Sequence, residues 1–203
     1  MTSGLIFGSF RPGINFYNLN ELSDSTGATK DRIMSPPRRT LSVTAPSNGL
    51  TLASAAEWEV VLMKLRGAVN YFSAWDLFKT LPRGTYRGAI TTSGTQAAGD
   101  TSIVLAGGGA SQTFLRGDEF QIGSGVGSQK LTCCGDYTAN GSGAVIVSEF
   151  EPPLRFATSD AMAVTIDHPL VYYKLVSKGS AWDYSAGRIA VSGFAADFLE
   201  QWG

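Results

Sequence analysis

Between Thr85 and Asp167 the chain carries five short runs in which apolar residues alternate with polar ones. They are centred on Ile103 and Leu105, Phe120 and Ile122, Leu131 and Cys133, Val145 and Val147, and Met162, Val164 and Ile166. The linking stretches AGGGAS, GSGVGSQ, DYTANGSG and EPPLRFATSD are built from turn residues. A period of two marks half-buried strands, and so many strands in so short a span predict a small independent barrel. Composition points the same way. Glycine accounts for 24 of 203 residues and charged residues for only 16%, against averages near 7% and about 25%.

The flanks read differently. Residues 1–38 are expected to be irregular, because Gly, Pro, Asn and Ser are scattered through them and end in Pro36-Pro37-Arg38-Arg39. Residues 39–45 then alternate Leu41, Val43 and Ala45, a half-buried strand. The stretch SAAE at Ser54–Glu57 fits a capping box. Trp58, Val61, Leu62 and Leu65 follow at helical spacing, with Gly67 as the stop. NYFSAWDLFKTL is a β-favouring aromatic run. VYYKLVS and GRIAVSGFAADFLE read as two longer strands. The fold class is therefore mainly β with one helix. A discontinuous β-sandwich formed by 1–84 and 168–203 is interrupted by a five-stranded barrel over 85–167.

The glycine-rich stretch before Lys130 invites a phosphate-binding reading, but its chemistry fails. A Walker loop has glycine directly before the lysine and Ser or Thr directly after it; here the neighbours are Gln129 and Leu131. Gly123, Gly125 and Gly127 also miss the dinucleotide spacing, and a strand pattern follows where a helix is needed. The run predicts a hairpin turn. His168 is the sole histidine, so any Ser-His or Cys-His mechanism would run through it, and its place before a proline at a strand start favours a structural role. One His with adjacent Cys133 and Cys134 cannot supply a zinc tetrahedron. The pairs Asp118/Glu119 and Glu149/Glu151 are candidates for glycosidase-like acid–base work, with solvated turn residues as the plainer reading. No catalytic, cofactor-binding or metal-binding residue is assigned.

A net charge of −1 gives no broad basic field for nucleic acid. Pro36-Pro37-Arg38-Arg39 with Arg32 forms the densest basic patch, which reads as a contact with DNA phosphates or an acidic partner or, more plainly, as a solvated lead-in to a strand. Tyr71, Phe72, Trp75 and Phe78 are either a binding platform or core and subunit contact. Asn140-Gly141-Ser142 matches a glycosylation sequon but reads as turn chemistry. The start of the sequence lacks a secretory pattern, no segment has the roughly 20 apolar residues of a spanning helix, and adjacent cysteines exclude a disulfide framework. The expectation is a protein made in a reducing cytoplasm.

The order of parts resembles the distal tail proteins of long-tailed, siphovirus-type bacteriophages. The likeness runs over about 54–203. It is carried by AAEWEVVLMKLRGAVNYFSAWDLF, by the barrel stretch from RGDEFQIG through TANGSGAVIV and PPLR to TIDHP, and by AGRIAVSGFAADFLEQW. The resemblance implies a structural, non-enzymatic virion protein forming a ring, usually a hexamer, without cofactors. The ring would join the tail tube protein to the tail tip or baseplate hub and continue the DNA channel, with fibres as further partners and no membrane. The inserted domain would resemble an oligonucleotide/oligosaccharide-binding barrel. Two alternatives stand beside this: a carbohydrate-binding module using loops near Tyr137 and Phe156, and a carboxylate hydrolase of cell-wall polymer.

Overall fold

A computed structural model of the chain describes residues 8–22, 29–176, 183–184 and 191–202. It is mainly β, with one helix among the described residues. The first strands are β1 (Ser9–Leu22), β2 (Thr29–Thr44) and β3 (Phe72–Ala74), with α1 (Leu52–Leu65) between the last two. Nine short strands follow: β4 (Gly88–Thr92), β5 (Ile103–Gly108), β6 (Thr113–Phe114), β7 (Glu119–Ile122), β8 (Gln129–Cys133), β9 (Tyr137–Thr138), β10 (Val145–Val147), β11 (Phe150–Glu151) and β12 (Val164–Thr165). The chain closes with β13 (Val171–Leu175), β14 (Asp183–Tyr184), β15 (Val191–Ser192) and β16 (Ala195–Glu200). Contacts divide it into two units. One takes residues up to Phe16, Arg38–Ala74 and Tyr172–Trp202; the other takes Tyr17–Pro37 and Trp75–Val171.

The first unit is built on a sheet ordered β1-β2-β16-β13-β3. Its buried face is set by alternation: Leu41 and Val43 on β2 lie opposite Phe198 and Ala196 on β16, and all four are buried. Phe72 packs edge-on against Phe198, ring centroids 4.8 Å apart. α1 is anchored through Trp58, whose ring lies 4.9 Å from Phe194. The helix begins three residues earlier than the sequence pattern predicts. Thr51 is the N-cap, its hydroxyl accepting the Ser54 N–H at 3.2 Å. The cause is Leu50, which is held in a β-bridge to Val191, so the turn into the helix starts directly after it. Arg66, ahead of Gly67, takes the left-handed C-cap conformation (φ 48°).

Two expectations for this part of the chain fail. Residues 9–22 and 29–38 lie in β1 and β2 rather than in irregular chain. Prolines are tolerated there because β2 pairs with β16 only over Thr40–Thr44. Pro36 and Pro37 sit in the part of the ribbon beyond that pairing, where a missing N–H breaks no ladder on the side away from β1. The aromatic run, in turn, yields only the three-residue β3. Past it the Asp76 carboxylate accepts the Phe78 N–H at 2.9 Å and turns the chain.

The second unit encloses one core. Sheet β11-β8-β7-β12 and sheet β10-β5-β4 are joined by a bridge between Thr91 and Ala163. On the other side the Ser148–Glu149 corner links β10 to β11, with the Cys134 N–H on Glu149 O at 3.0 Å and the Phe150 N–H on Thr101 O at 3.1 Å. Tyr86, Phe114, Phe120 and Phe150 run through the middle as a chain of edge-to-face contacts, and none is exposed. Such pairs add roughly 0.5–1.5 kcal/mol each beyond their burial. Each of the five predicted runs supplies a strand here. β4 and β11 complete the wall without an alternating apolar signal.

Candidate interaction surface

The groups singled out for chemistry are engaged in holding the second unit together. Lys130 does not face a ligand. Its Nζ lies 2.7 Å from the Glu119 carboxylate, and both side chains are almost wholly buried. The exposed Lys79 reaches the other Glu119 oxygen at 4.0 Å. Gly125 O accepts the Ser128 N–H at 3.0 Å, so the glycine run is a turn. Asp118 accepts three backbone N–H groups: Arg83 at 2.7 Å, Gly84 at 3.0 Å and Leu115 at 2.8 Å. That clamp holds Arg83–Gly84 against the Leu115–Asp118 turn within the second unit. A carboxylate so occupied and a glutamate in a buried ion pair do not form an acid–base couple open to substrate.

Glu149 and Glu151 are exposed and flank the buried Phe150. Burial and then these two carboxylates push the Cys134 thiol up, while Arg116 acts against them. Cys133 is buried, and burial pushes its thiol up to about 11. His168 has a positive φ of 54°. Its ring meets Trp75 edge-on at 5.3 Å, and its backbone N–H donates to Thr80 O at 2.8 Å, a structural post. Asn140 Oδ1 accepts from Ser142 N–H and Ala144 N–H, both at 3.0 Å, which is the turn chemistry expected of the sequon. Among the described residues no group of three or more His, Cys, Asp or Glu is placed to hold a metal ion.

The basic patch is partly absorbed as well. The Arg38 guanidinium lies over the Trp202 ring at 4.1 Å, and the Arg39 N–H donates to Glu200 Oε2 at 2.9 Å. The Arg32 side chain lies outside the described residues. Tyr137 and Phe156 are both half-buried, and the Ser148 hydroxyl bonds Tyr137 Oη at 3.1 Å. No helix among the described residues is long and apolar enough to cross a membrane.

What remains unaccounted for is apolar surface. In the first unit α1 is apolar on two sides. Trp58 and Leu65 face the core, while Leu52, Val60 and Met63 stand out, Met63 at 67% exposure. Turning 100° per residue, Leu52, Ala56, Val60 and Met63 fall within one stripe, well away from Trp58 and Leu65. β1 presents a second surface. Phe10 is buried, yet Ile14 and Phe16, on the same side of the strand by alternation, are 58% and 65% exposed.

The pairing of β1 with β2 explains the change. The Ser9 and Thr44 hydroxyls meet at 2.7 Å, and a Cβ on Gly13 would stand 2.6 Å from Thr40 Oγ1. Stepping on from Ser9/Thr44 and Gly13/Thr40, Ile14 comes opposite Arg39, at the end of the β16 pairing. β1 is also the edge of its sheet. In the second unit Phe78 is 82% exposed on a turn braced by Asp76, with Leu81 beside it. The sequence singled out Phe78 but not the helix stripe or the β1 face. No known protein-family model matches the chain, and no curated protein matches it.

Proposed function

We propose that this chain is a structural ring-forming protein of a phage tail tip, a distal tail protein in kind, working by geometric closure with no chemical step. The order of parts supports the class: strand ribbon, helix, short aromatic strand, inserted barrel and returning strands. The observation that carries the ring is the pair of unlike apolar surfaces on the first unit, the outer stripe of α1 and the Ile14/Phe16 face of β1. Apolar side chains exposed side by side, rather than singly, are what mark interaction sites. Two unlike surfaces on one subunit suit a heterologous contact, which closes into a ring when its rotation is a simple fraction of a turn. A hexamer joining the tail tube protein to the hub, passing DNA through its centre, is the assembly this reading names; fibres are further candidate partners.

Native mass spectrometry and negative-stain imaging of the purified chain test it. A closed oligomer several times the 21.5 kDa chain mass is expected. A strict monomer at every concentration, with no association with tail-tube protein, overturns the reading. Glycan binding by the barrel is less well supported, because Tyr137 and Phe156 offer only part of their rings.

A further inference from the structure

We infer that Asn140 is a site of self-modification, at which the Gly141 nitrogen attacks the asparagine side chain and converts it to aspartate or isoaspartate, with water as the co-reactant. Asn-Gly pairs suit this reaction because glycine sets no side chain in the path of its own nitrogen. The sequence holds two of them, Asn48-Gly49 and Asn140-Gly141, and spacing alone gives both the same standing. The structure ranks them through their places in a β-turn.

At the first pair the Gly49 N–H donates to Pro46 O at 2.9 Å, and the next N–H, that of Leu50, donates to Val191 O at 2.7 Å. The nitrogen that would have to attack is the one that closes the turn. At the second pair the turn begins on the asparagine itself, with the Gly143 N–H on Asn140 O at 3.0 Å. Gly141 is then the second residue of the turn, where the closing hydrogen bond makes no use of the N–H. Among the described residues that N–H has no partner. Asn140, Gly141 and Ser142 are all exposed, and nothing stands within 4 Å of the place a Gly141 Cβ would take.

The carbon under attack is prepared as well. Asn140 Oδ1 accepts from the Ser142 N–H at 3.0 Å, the Ser142 hydroxyl at 2.7 Å and the Ala144 N–H at 3.0 Å. As the Gly141 nitrogen gives its proton to solvent and bonds to Cγ, negative charge gathers on Oδ1, where those donors already point. Donors placed on a developing oxyanion lower such barriers. The Cγ–Nδ2 bond then breaks, Nδ2 takes up a proton and leaves as ammonia, and a succinimide remains. Water opens it at either carbonyl, so amide and water become carboxylic acid and ammonia. Opening at the main-chain carbonyl routes the chain through Cβ and Cγ, an isoaspartate with an extra methylene in the turn. Gly143 O, in that same turn, accepts the buried Tyr86 hydroxyl at 2.9 Å, so the longer backbone disturbs a contact with the core of the second unit.

The test keeps the full chain folded in mildly alkaline buffer and, in parallel, unfolded in guanidinium, and follows amide loss at each asparagine by peptide mass spectrometry. Unfolded, the two pairs are expected to react at similar rates. Folded, Asn140 is expected to react roughly 5-fold faster than Asn48 or more, because a closed turn hydrogen bond withholds the Gly49 nitrogen. Ser142→Ala removes one donor at an exposed position, and is expected to slow Asn140 in the folded chain while leaving its unfolded rate nearly unchanged. The inference is overturned if folded Asn48 reacts as fast as Asn140, or if neither reacts in the folded chain. It is overturned equally if Ser142→Ala speeds the reaction, which would mean that the hydrogen bonds hold the amide away from attack.

Discussion

Replacing Lys130 by methionine isolates what a buried ion pair does inside the second unit. At 2.7 Å the Glu119 and Lys130 charges attract with about 6 kcal/mol at an effective dielectric of 20. Withdrawing both ions from water costs several kcal/mol each, so the intact pair contributes close to nothing on balance. Removing one partner is another matter, because Glu119 then stays buried with its charge. Lys79 cannot take over: it stands at 4.0 Å with half its side chain in water. In that setting its attraction falls toward about 1 kcal/mol.

Lys130→Met is therefore expected to destabilise the second unit by about 3–5 kcal/mol. Glu119→Leu combined with Lys130→Met is expected to recover most of that loss. Guanidinium unfolding of the two single variants and the double variant gives the coupling directly. A Lys130→Met cost below about 1 kcal/mol, or a double variant no better than the worse single one, refutes the reasoning. It would mean that water reaches Glu119.

Asp118→Ala leaves three backbone N–H groups without the carboxylate that serves them. A loss of about 3–5 kcal/mol is expected from calorimetry or denaturant unfolding, with Asp118→Asn intermediate. In native protein at pH 8 a thiol reagent is expected to label Cys134, and Cys133 only after unfolding, read by mass spectrometry. The Cys133 thiol rises from 9.0 to about 11 on folding, so its contribution to stability is full below pH 9 and is lost as pH climbs toward 11. Cys133→Ala is expected to flatten that part of the stability profile, and an unchanged profile contradicts the assignment.

The barrel strands are legible in the sequence by alternation. β7 and β8 alternate although both their faces are buried, because the second face carries paired polar groups such as Glu119, Gln121 and Lys130. β5 and β10 alternate because one face of each is apolar and buried. Ile103/Leu105 and Val145/Val147 alternate for that reason, and they pair directly across β5 and β10. β4 gives no such signal, since its inward positions are Ile90 and Thr92. Thr92 is buried because its hydroxyl reaches Ser159 O at 2.8 Å, a long-range bond that sequence spacing cannot announce. The β1–β2 ribbon is hidden by its prolines, which break a ladder only where a second neighbour needs their N–H.

The candidate surfaces are harder to read for a related physical reason. Helical periodicity says that apolar residues share a side; it does not say which side meets the core. Trp58/Leu65 and Leu52/Met63 are both acceptable stripes on α1, and the choice between them is made by Phe194, far along the chain. Likewise Phe10, Ile14 and Phe16 share one face of β1, and what separates the buried residue from the exposed ones is where β16 stops pairing. An apolar pattern that outruns the unit's own core has two physical outcomes, exposure or a partner. Phe16 and Met63 stand exposed, and the proposed ring is what would cover them.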